Sequence, residues 1–193
     1  MLGSTSKRSF GMPRPTDKLR TDHSVVARAL DVLEAIANHI RIGGDFPVQD
    51  CAMVLRFLRE FLLPVHFRKE NEMVWPAVAM RGEERSAAVV GDLLRLQDEV
   101  VELVHTLVLF WEPAGELTAA ERSGFAATAA ALVARLRHMQ HLEERDLFSM
   151  CDAAVPADDQ LEWLANFAQL DGERCPLATW ETRIAVLAKD WLG

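Results

Sequence analysis

The residues of this chain best suited to chemistry are six histidines, His23, His39, His66, His105, His138 and His141, set in an acidic background. His66 and Glu70 form the most suggestive pair. They stand four residues apart in the stretch from Pro64 to Pro76, PVHFRKENEMVWP. On a helix that spacing puts an imidazole and a carboxylate on one face, one turn apart. Both could then reach one metal ion, or one ion and its neighbour. Imidazole and carboxylate together suit Fe, Mn or Zn. A His/Glu pair on an exposed helix is ordinarily just solvated. The pair gains meaning only if other elements bring ligands to the same height.

The elements that must do so all read as helices. After residues 1–20, which carry Lys7, Arg8, Arg14, Lys18 and Arg20 against Asp17 and are read as an irregular basic leader, Thr21 or Asp22 can cap a helix over His23–Ile42. Val26, Ala29, Leu30, Leu33, Ile36, Ala37 and Ile40 recur there at helical spacing. A second helix runs from Pro47 or Val48 to about Met80, with Pro64 expected to kink or interrupt it just before His66. A third spans Glu84 to Trp111. Thr118 and Glu121 form a capping box for a fourth, which fades near Cys151. Two shorter helices follow, Asp158–Leu170 and Pro176–Leu192, the second amphipathic through Trp180, Ile184, Leu187 and Trp191. No segment alternates with period two, so no sheet is expected. The fold class is all-α: an up-down-up-down four-helix bundle over 21–152, with two additional C-terminal helices over 153–193 packed on it.

Antiparallel geometry tests which ligand candidates meet. His23 lies about 22 positions before the first turn and His66 about 21 after it, so the two sit level to within ~1.5 Å of rise. Reflecting His66 and Glu70 through the second turn reaches Gln97 and Asp98. His105 falls about two turns off level and His39 lies near the first turn, so both leave the layer. The longer third turn places His138 and Glu143 less closely.

Composition sets the outer limits. The chain has 193 residues, half of them apolar, and a net charge of −8, which opposes general nucleic-acid binding. No apolar run reaches the ~18 residues of a membrane span, and the N-terminus has no secretory h-region. Cys51, Cys151 and Cys175 form no CxxC and no even set. A cytoplasmic protein is expected, without a disulfide framework.

The segment HFRKENEMVWPAVAMRG resembles the second helix of hemerythrin-like, HHE-type domains in His66, Glu70, the Val74-Trp75-Pro76 stop and Gly82. Asp22-His23 is similar to the acidic-His pair that opens their first helix. Glu143-Glu144-Arg145-Asp146-Leu147-Phe148 is similar to the end of their fourth. The resemblance spans roughly residues 20–152. It implies a bundle around a non-haem di-iron site, with histidines from all four helices and bridging carboxylates from the second and fourth. By position this implies His23, His66, Glu70, His138 and Glu143 as metal ligands. The family's third-helix histidine falls on Gln97, here assigned as a hydrogen-bond donor beside the site. The histidine expected four residues before Glu143 falls on Met139, with His138 one residue further back and His141, with Glu144, a further alternative.

The function this implies is binding of non-haem iron, as two Fe ions, with one metal, Mn or Zn as the alternatives. Such a protein would bind or sense O2, NO or peroxide, or handle iron, without high-turnover catalysis. Its expected partner is a diatomic ligand or peroxide, not nucleic acid or a membrane, with a protein partner or homo-oligomer left open. The rival reading is a metal-free bundle acting as an interaction module, with the Trp-rich last helix covering the bundle or meeting a partner.

Overall fold

The computed structural model describes residues 13–81, 84–111, 115–173 and 176–193. The first part of the leader with Lys7 and Arg8, the Gly82 stop, the Glu112–Ala114 break and Cys175 lie outside the described residues. Every regular element among the described residues is helical. The first bundle helix is α1 (Pro15–Arg41). The second is a continuous column of α2 (Val48–Phe57), a π-helical stretch Leu58–His66, α3 (Phe67–Lys69), a π turn Glu70–Val74 and α4 (Trp75–Arg81). The third is α5 (Glu84–Val108). The fourth joins α6 (Ala119–Leu142), a π turn Glu143–Leu147 and α7 (Phe148–Ala154). Then come α8 (Ala157–Gly172) and α9 (Leu177–Leu192). This is the expected all-α bundle with extra C-terminal helices. No described helix is long and apolar enough to cross a membrane.

The leader reading is corrected over residues 15–20, which are helical. Pro15 takes the first helical position, where its missing N–H costs nothing. Asp17 accepts from the Arg14 backbone N–H at 2.9 Å, closing the helix end. Leu19 is fully buried, and Thr16 donates to Asp152 at 2.8 Å across the bundle. Neither Thr21 nor Asp22 caps anything; Asp22 stands two turns inside the helix as a buried carboxylate.

Pro64 does not interrupt the second column. It lies inside the π-helical stretch, where the Phe67 N–H donates to the Leu62 carbonyl five residues back. The wider turn removes the clash between a proline ring and the carbonyl four residues before it. The same five-residue bond closes the other two π turns, Trp75 to Glu70 and Phe148 to Glu143. All three wide turns lie where a chemically interesting residue begins or ends them: His66, Glu70 and Glu143.

Leu30, Leu33, Ile36, Leu55, Leu62, Val100, Val104 and Leu132 are wholly excluded from solvent and fill the bundle axis. Each such Leu or Ile contributes about 1.5–3 kcal/mol of burial. The C-terminal helices complete this core. α9 packs along α1 and brings Trp180 edge-on to Phe57, 5.7 Å between centroids. Near its end Trp191 donates its indole N–H to Asp50 at 2.9 Å. α8 buries Phe167.

Candidate metal centre

Four of the five residues singled out from the sequence meet in the bundle interior. His23 comes from α1, His66 and Glu70 flank α3, and Glu143 opens the π turn of the fourth column. Their side chains are 0–3% exposed. The two imidazole centroids lie 5.0 Å apart. One donor atom each from His23, His66 and Glu70 falls within 4.8 Å of the others, close enough for one cation to touch all three. Glu143 adjoins this set, with its Oε2 3.3 Å from His23 Nε2.

Both histidines are held the same way. His66 Nδ1 faces Asp22 Oδ2 at 3.1 Å and its Nε2 faces Glu70 Oε1 at 3.3 Å. His23 Nδ1 faces Glu144 Oε1 at 2.9 Å and its Nε2 faces Glu143. An outer carboxylate on Nδ1 favours the proton there and leaves the Nε2 lone pair for the centre, the arrangement that orients metal-bound imidazoles. Behind Asp22 stands Lys69, wholly buried, with Nζ 2.9 Å from Asp22 Oδ2 and 2.6 Å from Asp171 Oδ1 of α8.

The charges of this cluster are strongly perturbed. Burial lowers the His66 pKa, but Glu70 and Asp22 outweigh it and carry the group up to about 10. His23 is likewise depressed by burial and raised overall by Glu143 and Glu144. Burial, reinforced by repulsion from Glu70, pushes Glu143 up to about 7. For Asp22 burial acts upward, yet His66 and Lys69 hold the carboxyl below its ordinary value.

The fit to a cation rests on stranded atoms. His23 Nε2, both Glu70 oxygens and both Glu143 oxygens are buried without a hydrogen-bond partner among the described residues. Buried polar atoms are normally hydrogen-bonded, and the two imidazole–carboxylate contacts at 3.3 Å leave most of the lone pairs of Glu70 and Glu143 unused. A divalent cation would engage nitrogen and oxygen donors of this kind together.

The structure does not bring His138 to this cluster. It is exposed on α6, while Met139 is fully buried and Gln140 is buried against the His23 carbonyl, 3.4 Å away. The reason is helical register. The residue sharing a face with Glu143 lies four before it on an α-helix and five before it only across a π turn. The wide turn here begins at Glu143, so the 138–142 segment stays α-helical and turns His138 outward. His141 and His105 are also exposed, and half-buried His39 meets the Trp191 ring edge-on.

Gln97 is buried at the expected height on α5. Its Oε1 accepts from Asn71 Nδ2 at 2.9 Å and its Nε2 has no partner among the described residues. The supporting roles of four residues, Asp22, Glu144, Lys69 and Asp171, escape the sequence reading. Asp22 reads as a cap and as part of the acidic-His pair, Glu144 as an alternative beside His141, and Lys69 carries no reading of its own. A hint for Asp22 is that it shares the height of His66. Asp171 carries no hint at all.

An antiparallel helical bundle with buried imidazoles and carboxylates converging on stranded donor atoms is a cation-binding bundle. The chain belongs to the hemerythrin family: the model of the hemerythrin HHE cation binding domain matches residues 14–151. No curated protein and no solved structure gave a significant match. The matched region opens just before Pro15 and closes inside α7, so α8 and α9 lie beyond it.

Proposed function

We propose that this protein holds one or two non-haem iron ions through His23, His66, Glu70 and Glu143, and binds or senses O2, NO or peroxide or handles iron. The observation that carries this reading is the set of five stranded, buried donor atoms on His23, Glu70 and Glu143. When bound, iron supplies a redox-active Lewis acid able to engage a small oxidant or a diatomic gas. The protein supplies the rest. Asp22 and Glu144 would orient the two imidazoles, and Glu70 and Glu143 would offer carboxylate oxygens to the metal. With ligand side chains at most 3% exposed, the setting favours a diatomic or peroxide over an organic substrate. The buried Cys51 and Cys151 thiols, each pushed up to about 12 by burial, are unreactive companions in keeping with a reducing cytoplasm.

The rival reading, a metal-free interaction bundle, draws on one observation. Gln97 and Met139 stand where the family pattern has histidines, leaving two imidazoles at the centre. One experiment separates the two. Protein purified without chelator, and again after anaerobic reconstitution with Fe(II), is assayed for metal. The iron reading expects ~1 to 2 iron per chain with charge-transfer absorption after exposure to air. Protein that refuses iron under both conditions sinks it.

A further inference from the structure

Lys69 is the anomaly among the described residues: a lysine with no solvent exposure, in the helix between His66 and Glu70. Buried lysines persist only when paired. Its ammonium is enclosed on two sides by rings, Phe61 at 5.8 Å and Phe167 at 5.5 Å from Nζ to centroid. It is held on two others by Asp22 at 2.9 Å and Asp171 at 2.6 Å. Phe167 and Asp171 stand four residues apart on α8 and therefore on one face. One turn of that helix delivers both a ring and a carboxylate to a lysine of the second column.

Asp22 is the next link. Its Oδ2 receives both Lys69 Nζ and His66 Nδ1. With a metal on His66 the imidazole would be neutral, and Asp22, 2% exposed, would then accept from it at low cost only if another cation balanced its charge. Lys69 does so. The chain of contacts runs Asp171, Lys69, Asp22, His66, and ends where His66 Nε2 faces Glu70 and the centre.

We propose that Lys69 and Asp171 are positioning residues for the metal centre: α8, outside the matched family region, clamps Lys69, and Lys69 with Asp22 fixes the His66 ring for metal binding. The C-terminal extension is thus part of the metal site's support and not merely a cover over the core. This rests on the iron reading above.

A simpler account is that α8 acts only by docking. Arg68 and Glu173 supply the control, because they also tie the end of α8 to the second column, at 3.2 Å, but at the exposed surface and without reaching Asp22. The test uses the full chain, with Fe(II) affinity measured anaerobically by chelator competition and Co(II) as a spectroscopic probe. Asp171→Asn should weaken binding about 10-fold and shift the Co(II) ligand-field bands, the scale on which supports of metal-bound histidines act. Asp171→Glu should restore most of both. Asp22→Asn together with Asp171→Asn should bind no more weakly than Asp22→Asn alone, since the two act through one chain. Glu173→Gln should match the wild type. Lys69→Met should exceed Asp171→Asn; if it does not fold, Asp171→Asn decides, because Asp171 is one-third exposed and tolerates the change. Wild-type affinity and an unchanged spectrum in Asp171→Asn overturn the proposal. So does equal weakening by Glu173→Gln, or full additivity in the double variant. A wild-type protein that takes up neither Fe(II) nor Co(II) overturns the iron reading, and this proposal with it.

Discussion

The two imidazoles of the centre are built on one plan in two different media. His66 is backed by Asp22, which is 2% exposed and charge-balanced by a buried lysine. His23 is backed by Glu144, which is 49% exposed. Its ring stacks on Phe148 at 5.4 Å, and Arg20 lies over that same phenyl ring at 5.0 Å. On the inner side the halves are alike: each Nε2 faces a carboxylate oxygen at 3.3 Å. The difference is therefore in what can replace the outer carboxylate. Around His23 water can take over from Glu144. Around His66 nothing can take over from Asp22 without leaving Lys69 unpaired. One half is fixed by a dry ionic network and the other stays adjustable.

The largest break comes from removing the fixed half. His66→Ala removes a proposed ligand and leaves Asp22 and Glu70 without their imidazole. Iron binding is expected to fall by more than about 100-fold, beyond the range for supporting residues. Chelator competition checks this, and retained tight binding would show that His66 is not a ligand.

The outer carboxylates sharpen the comparison directly. Asp22→Asn should cost on the order of 10–100-fold in iron affinity. Glu144→Gln should cost only about 3-fold, because an exposed group is readily replaced by solvent. Equal losses in the two variants would erase the asymmetry between the halves.

The metal-free protein carries the same contrast into its pH dependence. His66 sits at about 10 against an ordinary 6.5, so its favourable charge is fully present below the lower value and lost as pH rises through the higher. Glu143 sits at about 7 against an ordinary 4.5, so folding favours its protonated form and loses that advantage between those values. Asp22 acts oppositely, being held below its ordinary 3.8, and its contribution is lost only in stronger acid. Stability without metal should therefore peak near pH ~4–5 and decline toward pH ~9. Bound metal displaces these protons and should offset the decline. Urea midpoints of chelator-treated protein at the two pH values decide it, and a higher midpoint at the alkaline one contradicts the assignment.

How far the sequence disclosed this arrangement depends on which periodicity a residue obeyed. The bundle was legible because apolar residues at 3.6 spacing run almost unbroken through α1, α5 and α6. The level placement of His23 and His66 followed from helix rise alone. Pro15 and Pro64 show two limits of reading proline from sequence. Proline punctuates a leader and also starts a helix, and only the burial of Leu19 and the Thr16–Asp152 contact separate those cases. Pro64 would kink an α-helix but sits within a π stretch, and wide turns leave no mark in an apolar pattern. Lys69 and Asp171 are distant in sequence, and no local pattern announces a lysine that a later helix will bury.

His138 gives the smallest expected effect and bears on those wide turns. A histidine five residues before Glu143 shares a face with that carboxylate only across a π turn between the two. In this structure the π turn lies after Glu143, over Glu143–Leu147, and His138 points to solvent. His138→Ala should therefore leave iron stoichiometry, affinity and spectrum unchanged, while Met139, fully buried, continues to fill the inward position. Loss of iron in this variant would carry a specific meaning. The wide turn would have to move upstream in the loaded protein, to span 138–143, exchanging Met139 for His138 at the centre. Such a shift exchanges one five-residue backbone bond for another and leaves the helix continuous. The wet, adjustable half of the site is then the half able to gain a ligand, because the π turn that would move belongs to the helix that carries Glu143 and Glu144.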